Sequence, residues 1–117
     1  MVKHTENYSP KAGDIVWIDF DPQSGREQSG RRPALVVSPQ AYNAKVGLAL
    51  LCPVTSRIKG YAFEIPLTHG GPIKGVVLAD QVRSLDWRTR RAIFVCEAGP
   101  LILQDALAKI VALLESD

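Results

Sequence analysis

The residues with the greatest capacity for chemistry lie between Gln23 and Pro39, in QSGREQSGRRPALVVSP. One carboxylate, Glu27, stands among three guanidinium groups, Arg26, Arg31 and Arg32, in a stretch punctuated by Gly25 and Gly30. Arginine presents a planar fork that matches two oxygens of a phosphate, and its charge persists at any working pH. A carboxylate beside such cations is held ionised, which makes it available as a base but a weaker one. The grouping suits recognition of an oxyanion with a proton acceptor next to it. The plain alternative is a solvated loop of weak ion pairs, a common surface feature.

These side chains need a frame. The stretch turns abruptly apolar at Pro33, so it predicts a mobile loop that feeds a short buried strand, Ala34-Leu-Val-Val37, stopped by Ser38-Pro39. Before the loop, Gly13-Asp14 opens a strand over 15–20, with Ile15, Trp17 and Asp19 on one face and Val16, Ile18 and Phe20 on the other. Residues 40–45 suit one helical turn. Further short strands are expected at 48–52, broken at Pro53, and at 62–66, 75–79 and 92–96. Short strands at close spacing with Gly and Pro between them predict a mainly β fold, a small closed or nearly closed antiparallel barrel. From Pro100 to Glu115 the period changes: Leu103, Leu107, Ile110 and Leu114 recur at helical spacing, with Pro100 at the first helical position. Ile102, Ala106 and Leu113 widen that apolar face, which a dimer contact would bury more completely than the barrel alone.

Length and composition narrow the class. The 117 residues suit one domain over 1–117, and 46% hydrophobic with 22% charged residues is an ordinary globular balance. No segment reaches the roughly 20 apolar residues of a membrane span, and the polar start MVKHTENYSPKAGD is unlike a secretory leader. A cytoplasmic protein is expected. Cys52 and Cys96 sit in apolar runs and read as buried free thiols. His4 and His69 stand far apart, and no ligand spacing for a metal is present. The net charge is only +2, yet residues 26–91 hold eleven Lys or Arg against Glu27, Glu64, Asp80 and Asp86. Eight of the fourteen basic residues are Arg. That mid-chain surplus points to a polyanion partner, with plain solubility as the alternative.

Four blocks in order resemble the MazF/PemK toxin family: Gly13-Asp14-Ile-Val-Trp-Ile-Asp19-Phe-Asp21-Pro22; Glu27-Gln-Ser-Gly30-Arg-Arg32-Pro33; Pro53-Val-Thr55-Ser56; and Leu78-Ala-Asp80-Gln81-Val-Arg83-Ser84. The resemblance implies an SH3-like antiparallel barrel with a C-terminal helix and a homodimer. It implies sequence-specific cleavage of single-stranded RNA, notably mRNA, with no metal or other cofactor, and inhibition by a small MazE-like antitoxin. By the same match Arg32 corresponds to the catalytic arginine, Thr55 to the catalytic threonine, and Glu27 to a glutamate with an acid/base role in some members. Arg31, Ser56, Arg57, Lys59, Gln81 and Arg83 are expected to bind RNA.

RNA supplies its own nucleophile, the 2′-hydroxyl, so an enzyme needs a base, positive donors around the transition state and a proton for the leaving 5′-oxygen. Arg32 suits stabilisation of developing charge, since a guanidinium with pKa above about 12 is a poor proton donor. Thr55 would hydrogen-bond a non-bridging oxygen or position the 2′-hydroxyl. Without the resemblance, Thr55 and Ser56 would be turn residues and Asp80, Gln81 and Arg83 the polar end of a strand. Tyr61, Phe63 and Trp87 are candidates for base stacking, with packing as the alternative. Two other functions compete with RNA cleavage: a gyrase poison like CcdB, and an RNA-binding module without catalysis. The chain ends Leu113-Leu-Glu-Ser-Asp117, without the Trp-Gly-Ile terminus of the gyrase poisons.

Overall fold

The computed structural model of the protein describes residues 7–21, 25, 28–68 and 71–116. Seven strands and two α-helices follow in the order β1 (Asp14–Asp19), β2 (Arg31–Val36), α1 (Gln40–Val46), β3 (Leu48–Thr55), β4 (Glu64–Pro66), β5 (Val76–Leu78), β6 (Arg83–Asp86), β7 (Ile93–Glu97) and α2 (Pro100–Glu115). One turn of 3-10 helix, Ala79–Gln81, links β5 to β6. Every pairing is antiparallel, and the hydrogen-bonded path runs β4-β5-β3-β2-β1-β7 with β6 on β3. Among the described residues the path does not close on itself, and the bent sheet is the nearly closed, SH3-like antiparallel barrel that the sequence leads one to expect.

Strand β3 organises the bend. Its first half pairs with β6, its middle with β2, and Val54 and Thr55 pair with Val77 and Val76 of β5. Alternation along the strands builds two apolar layers. Ile15, Leu35, Cys52, Val54, Ile65 and Val77 pack on one face, beneath Ala106 and the half-buried Ile102, Leu103 and Ile110 of α2. Val16, Ile18, Phe20, Val36, Leu51 and Trp87 fill the other. Complete burial of such side chains contributes about 1.5–3 kcal/mol each, and both faces of the central strands are secured this way. The Trp87 indole N–H donates to the carbonyl of Asn43, itself fully buried, which ties α1 to the second layer.

Several boundaries differ from the sequence reading. β2 begins at Arg31 rather than Ala34, because Arg31 and Arg32 pair with Asp19 and Ile18. β3 runs through Pro53, which sits opposite Ala34 where the strand turns from one partner to the next, a place where a missing N–H is tolerated. β6 was not expected: Arg83 and Asp86 hid a strand edge that buries only Leu85. Helix α2 spans the expected residues, but its buried face is Ile102, Leu103, Ala106 and Ile110. Leu107 and Leu114 turn outward with Leu101 and Val111. Cys52 is buried and Cys96 only half-buried; both are free thiols. Burial pushes the Cys52 thiol up to about 12, with the Asp80 carboxylate adding to the shift. Among the described residues no helix is long and apolar enough to cross a membrane.

Candidate nucleic-acid interface

The ends of β3 and β5, the segment that follows Thr55 and the 3-10 turn enclose a cleft of about 350 Å3. Thr55 lies on one wall, Gln28 and Gln81 on another, and Arg57, Lys59 and Tyr61 at the rim, with Glu64 and Leu78 deeper. Thr55 is buried as the last residue of β3, and its Oγ1 accepts the N–H of Arg57 at 3.1 Å. That bond starts the turn which carries Arg57 and Lys59 outward. β5 can approach Thr55 only because residue 75 is glycine. It has φ of +119°, and a Cβ there would stand 2.2 Å from the Thr55 carbonyl oxygen.

Arg32 reaches the same region from β2. Its Nε donates to the Ser29 carbonyl at 2.9 Å and its Nη1 to the Val54 carbonyl at 3.4 Å. Ser29 and Val54 each adjoin a residue of the cleft wall, Gln28 and Thr55. Among the described residues the Nη2 of Arg32 has no partner. Gln28 is fixed in turn, its N–H donating to Oε1 of Gln81 at 3.0 Å. The base of the loop between β1 and β2 is closed by Phe20 N–H to the Gly30 carbonyl and Gly30 N–H to Oδ1 of Asp21. Glu27, the expected acid/base residue, lies outside the described residues, as do Arg26 and both histidines.

Arg31 is not brought to the cleft. Adjacent strand residues face opposite ways, and the Arg31 guanidinium is spent on Asp19 at 3.1 Å and on the carbonyls of Arg90 and Arg91. Arg91 pairs with the same carboxylate at 3.1 Å. These hydrogen bonds, that of Arg31 foremost, hold the Asp19 carboxyl below the usual carboxylate range.

Arg57 and Lys59 are exposed at the rim; among the described residues neither forms an ion pair. Ser56 is exposed beside them and does not line the cleft. Gln81 and Arg83 border a second hollow of about 150 Å3, which shares Gln28 and Gln81 with the first. Arg83 stands over the ring of Phe20, 5.8 Å from its centroid. Of the aromatic candidates, Trp87 is buried and Phe63 packs on the first apolar layer, so packing accounts for both. Tyr61 is the one that faces the cleft. Its hydroxyl donates to Oδ1 of Asp80 at 2.9 Å, and desolvation with that bond pushes its pKa up to about 12. It stays a neutral ring at working pH, suited to stacking.

One acidic side chain of the site was missed from sequence. Glu64 is largely buried, and its two oxygens accept the N–H groups of Lys59 at 2.9 Å and Gly60 at 2.8 Å. A usable signal was present: Glu64 is the sole acid between Ser56 and Asp80 and lies inside an apolar strand, where a carboxylate must find donors. Among the described residues no three His, Cys, Asp or Glu side chains gather in a group able to hold a metal ion.

Comparison with known proteins bears on more than nine-tenths of the chain. A family model described as the PemK-like, MazF-like toxin of type II toxin–antitoxin systems matches residues 11–114. The endoribonuclease toxin MazF of Escherichia coli K12 is 49% identical over 92% of this chain and 96% of its own length. A crystal structure of MazF from Deinococcus radiodurans has a TM-score of 0.90 at 54% identity, covering 94% of this chain and 100% of that one. A MazE–MazF crystal structure from the same organism has a TM-score of 0.84 at 53% identity, covering 95% and 100%.

Proposed function

This chain belongs to the PemK-like, MazF-like toxins of type II toxin–antitoxin systems, and we propose that it is a sequence-specific endoribonuclease that cuts single-stranded mRNA without a metal ion. The observation that carries the proposal is that Arg32 from β2 reaches the carbonyl of Val54, next to Thr55, beside one cleft rimmed by the exposed Arg57 and Lys59.

The chemistry follows from what each group can do. The 2′-hydroxyl of the substrate attacks the adjacent phosphorus as its proton passes to a base, the role we give Glu27. The bond from phosphorus to the 5′-oxygen breaks, and that oxygen takes up a proton. The products are a 2′,3′-cyclic phosphate and a 5′-hydroxyl. Negative charge grows on the non-bridging oxygens during this step, and pre-positioned donors lower its cost because they need no reorganisation. Nη2 of Arg32 is one such donor. The Thr55 hydroxyl is another: its oxygen already accepts the Arg57 N–H, so its own hydrogen is left for the phosphoryl group. Arg57 and Lys59 draw in the strand, Tyr61 stacks a base, and Gln81 and Arg83 border the next subsite. Arg31, paired with Asp19, serves the sheet rather than the phosphate.

We further assign residues 1–117 to one domain acting in the cytoplasm as a homodimer, with a second copy covering the exposed Leu101, Leu107, Val111 and Leu114 of α2. A MazE-like antitoxin is the proposed inhibitory partner. The test is cleavage of a long single-stranded RNA by the purified protein in excess EDTA, with analysis of the ends. Cuts at a recurring short motif with cyclic-phosphate ends are expected. A folded protein that binds the RNA and leaves it intact would make the chain a binding module. Neither binding nor cleavage, with inhibition of gyrase supercoiling, would make it a gyrase poison.

A further inference from the structure

Segment 57–61 has no regular secondary structure, yet it carries both exposed cations of the cleft rim. It is fastened from below at two points. Glu64 opens β4 and accepts the N–H groups of Lys59 and Gly60 on separate oxygens, while Asp80 of the 3-10 turn accepts the hydroxyl of Tyr61. At a third point, a bond from Arg57 N–H to Thr55 Oγ1 fixes the start. The sequence needs such fastening, because an exposed glycine with φ of +84° at residue 60 leaves this stretch many conformations to lose.

A carboxylate beneath a cationic rim is costly for an anion-binding cleft unless its charge is used elsewhere. Here both oxygens of Glu64 face backbone amides, so it pairs with neither Arg57 nor Lys59. Hydrogen bonds from backbone N–H to a carboxylate are charge-assisted and short, and at 2.8 and 2.9 Å these fit that description. The arrangement separates two tasks: the acid orders the peptide, and among the described residues no acid takes up the two cations.

We propose that Glu64 is a positioning residue for substrate, which acts through Arg57 and Lys59 by holding their backbone against the cleft. This rests on the RNA-cleavage reading above for the identity of the ligand. Removing Glu64 lets the rim wander, so ordered phosphate contacts are lost while Arg32 and Thr55 stay in place on their strands. The expected signature is a rise in KM with kcat little changed, and a weaker dependence of RNA binding on salt.

The experiment measures binding of a non-cleavable 2′-O-methyl RNA oligonucleotide across a salt series for wild type, Glu64→Gln, Arg57→Ala/Lys59→Ala and the triple variant. Loss of two phosphate contacts flattens the salt slope by about 1.4, at about 0.7 per contact for single strands. Glu64→Gln keeps one acceptor but turns an amide N–H toward the other donor, and is expected to weaken binding roughly three- to tenfold. In the background lacking Arg57 and Lys59 the same change is expected to do nothing, because its route to the ligand is gone. An equal loss in both backgrounds, or an unchanged salt slope, would overturn the proposal. If Glu64→Gln lowers kcat and Tm together with KM unaltered, Glu64 is merely structural. Wild-type cleavage measured alongside separates the two claims: intact RNA with a normal salt slope sinks the enzymatic reading and leaves this one standing.

Discussion

Two regions of this molecule use arginine and carboxylate side chains to opposite ends. Along the edge formed by β1, β2 and the turn before β7, Asp19 receives the guanidinium groups of Arg31 and Arg91, while Arg90 donates to the carbonyls of Asp19 and Asp21. Charge there is neutralised within the protein. At the cleft, the carboxylates of Glu64 and Asp80 are turned toward backbone amides and a tyrosine hydroxyl, and Arg57 and Lys59 remain without acidic partners among the described residues. The same residue types make a clamp in one place and an anion site in the other. What differs is which donor the acid takes, and that follows from strand register and loop path.

The comparison can be broken most forcefully at the cleft. Thr55→Ala removes the hydroxyl proposed to face the phosphoryl group and is expected to cost about 2–4 kcal/mol of transition-state stabilisation, comparable with losing one oxyanion donor. Single-turnover cleavage should slow by about 30- to 900-fold with Tm close to wild type. An undiminished rate would remove Thr55 from the mechanism. Gly75→Ala strikes the backbone behind it: a Cβ 2.2 Å from the Thr55 carbonyl oxygen, at φ of +119°, forces β5 away from β3. A destabilisation of about 1–3 kcal/mol is expected, read as a lower midpoint in urea, with slower cleavage as Thr55 shifts. A variant as stable and as active as wild type would show that the approach of β5 is not needed.

The smallest effect belongs to the clamp. The Asp19 carboxyl is held low in the folded state, chiefly by its hydrogen bond from Arg31. A depressed folded pKa stabilises the fold fully above the ordinary carboxylate value of about 3.9, and that contribution fades as pH falls through the lower folded value. Asp19→Asn is therefore expected to lower stability modestly at neutral pH and to lose less than wild type on acidification. Urea midpoints at a series of pH values check this. Parallel profiles for the two proteins would show that the clamp contributes nothing.

Much of this was legible from residue order alone. Alternation of apolar residues along β1 assigned Val16, Ile18 and Phe20 to one layer, and Pro100 with its helical period marked both ends of α2. The blocks around Arg32 and Thr55 carried the family resemblance. What escaped was whatever depends on pairing between distant segments. Arg31 and Arg32 are equivalent in composition, and only the register of β2 against β1 sends one to Asp19 and the other to Val54. The outward turn of Leu107 and Leu114 depends on which face of α2 meets the first apolar layer, which periodicity does not specify. Glu64 carries the signal of an acid inside an apolar strand, but its partners, two backbone amides, have no signature of their own.

The most direct test of the division between clamp and cleft compares Arg31→Ala with Arg32→Ala, neighbours in sequence on opposite faces of β2. Each is assayed for kcat/KM on single-stranded RNA and for thermal stability. The account predicts that Arg32→Ala loses cleavage by about 2–4 kcal/mol in transition-state terms at near-wild-type Tm, whereas Arg31→Ala unfolds at a lower temperature and still cuts at nearly the wild-type rate. Abolished cleavage in a stable Arg31→Ala, with Arg32→Ala active, would contradict it.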